Sequence, residues 1–97
     1  MNDREITIQE ILAAGRYAVF APHKTFGTRV DTHPAPNREI AEGDVKSKED
    51  KNAKIVGHLK IDNTPIFAYP WHFDDAIAYV ETCKYVVGLP DGLRIRG

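Results

Sequence analysis

The sequence predicts an α+β fold in which two helices pack on one face of a small, mostly antiparallel sheet of about three to five strands. Apolar residues recur with helical spacing in two segments and alternate in several shorter ones, and clusters of turn residues separate these segments. The chain of 97 residues has about the usual size of one domain, and we expect residues 1–97 to form a single domain.

The first helix is predicted over residues 6–14, where apolar side chains recur on one helical face. Thr7 and Glu10 have the spacing of a capping box, which predicts that the helix begins at Thr7. Gly15 follows the last apolar residue of the face, and glycine is typical of the position after a helix C-terminus.

Two strands and a loop are predicted after this helix. Residues 17–21 and 28–32 are rich in β-branched and aromatic side chains and are expected to pair through the turn between them. The prolines that follow exclude a helix over residues 33–37. Residues 42–54 are almost wholly polar and predict a mobile charged loop, because so little apolar surface does not offset the entropy lost on ordering.

The second half of the chain predicts a β-hairpin and then a helix. Residues 54–61 alternate, turn residues follow, and residues 66–69 return as the partner strand. An apolar helical stripe that includes Cys83 predicts a helix over residues 73–87. Residues 93–96 alternate like a short edge strand, which is a possible site of pairing between two copies in a homodimer.

The composition bears on partners and location. The 13 basic and 14 acidic residues give a net charge of −1 and are spread evenly, so the clustered positive charge of a nucleic-acid-binding protein is missing. Cys83 is the single cysteine, which excludes an intramolecular disulfide and favours a reducing compartment. The polar N-terminus and the lack of a long apolar run predict neither a signal peptide nor a membrane span, and we expect a cytoplasmic protein.

No pattern for a cofactor, a metal or catalysis stands out. The sequence contains none of the common phosphate-loop, dinucleotide-binding, HExxH or CxxC motifs. The four histidines and Cys83 are the candidate ligands for a soft metal, but their spacing does not resemble that of a zinc site. Asp74 and Asp75 fall in the first turn of the predicted helix, where negative charge complements the helix dipole. We therefore expect no cofactor, no bound metal and no catalytic residue.

The most informative segment is residues 67–73, in which four aromatic residues and a histidine occur within seven positions. Large aromatic side chains on a rigid element are favoured anchors of protein interfaces. We predict a protein-binding surface formed by Tyr69, Trp71, His72 and Tyr85, with the charged loop around residues 46–51 steering the partner. In the alternative interpretation, these rings only cover the core.

These observations favour a non-enzymatic protein that binds another macromolecule, most simply a protein-binding inhibitor or adaptor. By analogy, phages and other mobile elements often encode small proteins of that kind. A nucleic-acid-binding regulator is the first alternative and would use Arg16, Lys24, Arg29 and Arg38 if folding gathers them on one face. A metal-binding or enzymatic domain is the second alternative and would require the histidines to converge.

Overall fold

The computed structural model describes residues 3–25 and 27–88 and shows an α+β fold with three helices and a five-stranded sheet. The elements follow in the order α1 (Asp3–Ala14), β1 (Arg16–Ala21), β2 (Arg29–Pro34), α2 (Arg38–Asp50), β3 (Lys54–Leu59), β4 (Pro65–Ala68), α3 (Phe73–Thr82) and β5 (Val86–Gly88). A short 3-10 turn, Pro70–His72, joins β4 to α3. The predicted fold class is confirmed.

The sheet is mixed and has the strand order β2-β1-β4-β3-β5. The central pair, β1 and β4, is parallel, and it brings Ala18 opposite Ile66 and Val19 opposite Phe67. The other three pairs are antiparallel, so the sheet is mostly antiparallel, as predicted. The predicted hairpin is the β3–β4 pair, and the predicted return of residues 28–32 onto the first strand is the β1–β2 pair.

Two connections cross between strands that run in the same direction, one from β2 through α2 to β3 and one from β4 through α3 to β5. Strands β2 and β3 run opposite to β4 and β5, while both connections move toward the β5 edge of the sheet. Because such crossovers are almost always right-handed, the two helices have to lie on opposite faces. Of the two helices predicted from the sequence, α1 packs on the same face as α2, whereas α3 packs on the other face. The prediction that both pack on one face is therefore wrong.

Apolar side chains cover both faces of the sheet, because successive residues of a strand point to opposite sides. The core cluster between α3 and the sheet consists of Ala18, Phe20, Val56, Ile66, Ala68, Ala76, Val80 and Val86. The core cluster between the opposite face and helices α1 and α2 consists of Ile8, Ile11, Tyr17, Ala35, Ala41, Val45 and Phe67. The fold therefore has three layers: α1 and α2, the sheet, and α3.

The predicted mobile loop at residues 42–54 is wrong, since helix α2 occupies residues 38–50. Ala41 and Val45 are four residues apart, lie on the same helical face and are both buried against the sheet. The side chain of Asn37 caps the helix by accepting a hydrogen bond from the Ile40 N–H at 3.0 Å. Two well-spaced apolar residues and a cap are thus enough to order a segment whose average composition is that of a loop.

Contacts from the polar face of α2 fix the helix further onto the sheet. The ammonium nitrogen of Lys48 lies 4.9 Å from the centroid of the Tyr17 ring, which is a cation–π contact. Burial, together with the adjacent Asp44 carboxylate that accepts a hydrogen bond from the phenol, raises the pKa of Tyr17 to about 12. The charged residues of this segment therefore take part in ordering it.

Two helix boundaries differ from the sequence prediction, the start of α1 and the end of α3. Helix α1 begins at Asp3, which places Thr7 inside the helix and not at a cap. It ends as predicted at Gly15, which has a φ of +72° and whose N–H donates to the Ile11 carbonyl at 2.8 Å. Helix α3 ends at Thr82, and residues 86–88 form strand β5, in agreement with the preference of consecutive valines for strands. The predicted strand at residues 93–96 lies outside the described residues.

Within the described residues, no helix combines the length and the apolar character needed to cross a membrane.

The packing of α2 predicts that Val45→Ala lowers the free energy of unfolding by about 2 kcal/mol, because it removes two buried methyl groups. The neighbouring Lys46→Ala is the control: Lys46 is exposed, and its replacement should change stability by less than about 0.5 kcal/mol. Urea denaturation of both variants checks this. Equal and negligible effects would show that residues 38–50 do not pack as a helix.

The turn between β3 and β4 predicts a pH-dependent contribution to stability. The Asp62 carboxylate accepts hydrogen bonds from the hydroxyl of Thr64 at 2.6 Å and from its N–H at 3.1 Å, and Arg16 Nε lies 3.7 Å away. The hydroxyl hydrogen bond is the main cause that holds the pKa of Asp62 below its usual value of 3.8, and Arg16 adds to it.

A group with a lowered pKa stabilises the folded state above its usual pKa, and this stabilisation is lost as the pH falls through the lowered value. Asp62→Ala should therefore lower the free energy of unfolding by about 1 kcal/mol near pH 7. The difference from the wild type should shrink as the pH falls below 3.8. Urea denaturation over this pH range checks the prediction, and a difference that stays constant with pH would contradict it.

Candidate functional site

The aromatic segment lies between β4 and α3 and passes over the end of the sheet at which β4 finishes. It begins at Phe67, which is buried under α1 and α2, and it ends at Phe73, which packs against the α3 face. In between, Pro70–His72 forms the 3-10 turn that leads directly into α3. The two phenylalanines at its ends belong to the core, so the interpretation that the rings cover the core holds for them.

Tyr69 and Trp71 form a stacked pair that we call the aromatic platform. Their ring centroids are 5.0 Å apart, and their planes differ by only 9°. The indole of Trp71 is 64% exposed, whereas Tyr69 is partly buried. The ammonium nitrogen of Lys51, just after α2, lies 5.8 Å from the centroid of the Tyr69 ring. The platform thus presents one open indole face on a support that is already ordered.

His72 lies beneath the platform. Its ring contacts that of Trp71 at 6.2 Å and that of Phe20 at 6.1 Å, both in edge-to-face geometry. The Nδ1 atom of His72 is buried and has no hydrogen-bond partner in the part of the chain that the structure describes. Phe20 is 2% exposed and belongs to the α3 core cluster. His72 therefore joins the platform to the core and contributes little surface of its own.

Tyr85, the fourth predicted residue of the surface, is 70% exposed but lies at the other end of the sheet. Tyr85 precedes Val86, which pairs with Leu59 at the end of β3. The platform follows Ala68, which pairs with Lys54 at the start of β3. At the usual rise of a strand, the length of β3 separates the two ends by about 16 Å. The structure brings Tyr69, Trp71 and His72 together and leaves Tyr85 outside the platform.

The four basic residues of the nucleic-acid alternative do not form one surface. Arg16 and Arg29 lie at opposite ends of the β1–β2 hairpin, where they pair with Pro34 and Ala21. Three of the four lie beside a carboxylate, in the pairs Arg16–Asp62 (3.7 Å), Arg29–Asp31 (2.8 Å) and Arg38–Glu42 (3.1 Å). Lys24 is exposed in the turn after β1. This distribution does not provide the continuous positive surface that a nucleic-acid backbone requires.

The histidines have separate surroundings. His58 Nε2 lies 3.0 Å from Glu10 Oε2, in a partly buried contact that joins β3 to α1. His33 stacks on Tyr17 with a centroid distance of 5.2 Å, and His72 contacts Phe20. Among the residues that the structure describes, no group of three or more histidine, cysteine, aspartate or glutamate side chains is arranged to hold a metal ion.

Cys83 packs against the α3 core cluster, as expected for a small apolar side chain. It is partly buried and hydrogen-bonds with Tyr79. Burial, together with this hydrogen bond, raises the pKa of Tyr79. The surroundings of Cys83 are therefore those of a packing residue.

Comparisons with protein-family models, with curated proteins and with solved structures find no match. Function is therefore inferred from the site alone.

Lys51 is the part of the site that sequence reasoning placed wrongly, since it was assigned to a mobile loop that steers a partner. It follows the last turn of α2 and contacts the Tyr69 ring. The spacing of Ala41 and Val45 is a signal for the helix, whereas the proximity of its end to Tyr69 is a tertiary contact that the sequence does not indicate. Lys51 is thus held at the platform by α2.

The exposure of the platform predicts that Trp71→Ala lowers the free energy of unfolding by less than about 1 kcal/mol, because most of the indole is already in contact with water. Phe20→Ala, which removes a buried ring under the same turn, should cost about 3–5 kcal/mol. Thermal or urea denaturation of the two variants checks this. A comparable loss of stability in both would assign Trp71 to the core.

Proposed function

We propose that this protein is not an enzyme and acts by binding another protein through the aromatic platform, as an inhibitor or an adaptor. The observation that carries the proposal is the 64% exposed indole of Trp71, stacked on Tyr69. A tryptophan in this position buries a large area on binding and loses little conformational entropy. Such residues contribute most of the binding energy in many protein interfaces.

The support beneath Trp71 favours this function. Tyr69 covers one indole face, the His72 ring meets the indole at 6.2 Å, and the turn that carries them is fixed between β4 and α3. A side chain that is ordered before binding does not have to be immobilised by the partner, so more of the contact energy appears as affinity. The platform therefore has both the exposure and the order expected of an interface anchor.

A cytoplasmic location belongs to the same proposal. It is supported by the single cysteine, which packs as a core residue and is compatible with a reducing environment.

The proposal predicts that Trp71→Ala abolishes partner capture. The wild-type, Trp71→Ala and Tyr85→Ala proteins are immobilised and incubated with an extract of the cells that make this protein. The proteins that each one retains are then quantified by mass spectrometry. Trp71→Ala should retain the true partner at least about thirtyfold less than the wild type does, because the loss of an interface hot spot has an effect of this size.

Tyr85→Ala is the matched control, because it removes an aromatic side chain of similar exposure at the other end of the sheet. It should retain the partner like the wild type, with or without nuclease treatment. Equal capture by Trp71→Ala would refute the proposal. Loss of capture after nuclease treatment would instead support the nucleic-acid alternative, in which bases stack on the exposed indole.

A further inference from the structure

We infer that the group which docks on the open face of Trp71 is a cationic side chain of the partner protein, an arginine or a lysine. The inference rests on the proposed function and specifies the chemistry of the partner.

The open indole face is the first reason. Among aromatic side chains, tryptophan binds cations best, through the negative electrostatic potential over its ring. Tyr69 stacks on one face of the indole, so a partner group approaches the other. Within the described residues, no ammonium or guanidinium group of the chain lies over the Trp71 ring, whereas Lys51 already lies over Tyr69. Among the described residues, the open face of Trp71 is therefore free to receive a cation from a partner.

The second reason is the charge next to the indole. Asp74 and Asp75 follow Trp71 by three and four residues and lie in the first turn of α3, directly after the 3-10 turn. Three or four residues span at most about 14 Å even in an extended chain. The 3-10 turn shortens this separation, because the Phe73 N–H donates to the Pro70 carbonyl. Both carboxylates are exposed and have no ion pair with another described residue. They are also favourably placed for the helix itself, because their charge complements the α3 dipole.

These two features together select against other partners. Two carboxylates beside the ring attract a guanidinium or ammonium group and repel a phosphate or a carboxylate. The only described ammonium contact of the platform is that of Lys51, and it is made with Tyr69. The platform thus fits a basic segment of a protein better than a nucleic acid or an acidic peptide.

The test uses the single tryptophan, whose indole N–H gives one resonance in a ¹H–¹⁵N spectrum. The probes are a capped hexa-arginine peptide, a capped hexa-glutamate peptide and an oligothymidylate, each titrated at low salt. We expect a saturable shift of the indole resonance with hexa-arginine, at an affinity at least about tenfold higher than with either anionic probe.

The double variant Asp74→Asn, Asp75→Asn should bind hexa-arginine about tenfold more weakly. The control double variant Glu39→Gln, Glu42→Gln removes the same charge from the first turns of α2, at the other end of the sheet, and should bind like the wild type. An equal loss in both variants would show that net charge alone attracts the peptide and would overturn the inference.

No saturable shift with hexa-arginine, or tighter binding of an anionic probe, would also overturn the inference. The proposed function is judged separately, by the capture assay with Trp71→Ala. If that variant loses the partner while Asp74→Asn, Asp75→Asn retains it fully, the platform binds a protein but not through a cation. If Trp71→Ala retains the partner, both the proposed function and the inference fail.

Discussion

The parallel pairing of β1 with β4 is the constraint on which the rest of the structure depends. It places Ala18 and Val19 opposite Ile66 and Phe67 in the middle of the sheet, where side chains are buried on both faces. With β1 and β4 parallel, β3 and β5 are each reached by a crossover, and crossovers of one hand put α2 and α3 on opposite faces. Strand β4 then finishes at the end of the sheet where α2 finishes and α3 begins. The aromatic platform occupies this end because the chain has to pass there from one face of the sheet to the other.

Much of the local structure was predictable because it depends on neighbouring residues. The β3–β4 hairpin, strand β1, the end of α1 at Gly15 and the start of α3 follow from alternation, helical spacing and turn residues. The sequence prediction omits helix α2 because the average composition of residues 42–54 is that of a loop, although the spacing of Ala41 and Val45 indicates a helix. Without α2, the predicted topology lacks the crossover from β2 to β3, and nothing in it indicates that helices cover both faces of the sheet.

The candidate site was predictable in part for the same reason. A concentration of aromatic residues in the turn before a helix can be read from the sequence, but the exposure of each ring depends on the face that it reaches. Phe67 is 3% exposed and Trp71 is 64% exposed, although they are four residues apart in the same segment. To predict that Tyr85 lies far from the platform, one would have to know that β5 pairs with the end of β3. That pairing joins residues distant in sequence.

The central claim is that a partner protein contacts Trp71 and does not contact Tyr85. The most direct measurement leaves both rings in place and puts the photo-crosslinking amino acid p-benzoylphenylalanine beside each of them, at the exposed positions Pro70 and Lys84. The variants are made in the cells that make this protein, which are then irradiated, and the adducts are identified by mass spectrometry. The account predicts a covalent adduct with a specific protein from position 70 and none from position 84. Absence of an adduct at position 70, or an adduct at position 84 alone, would contradict it.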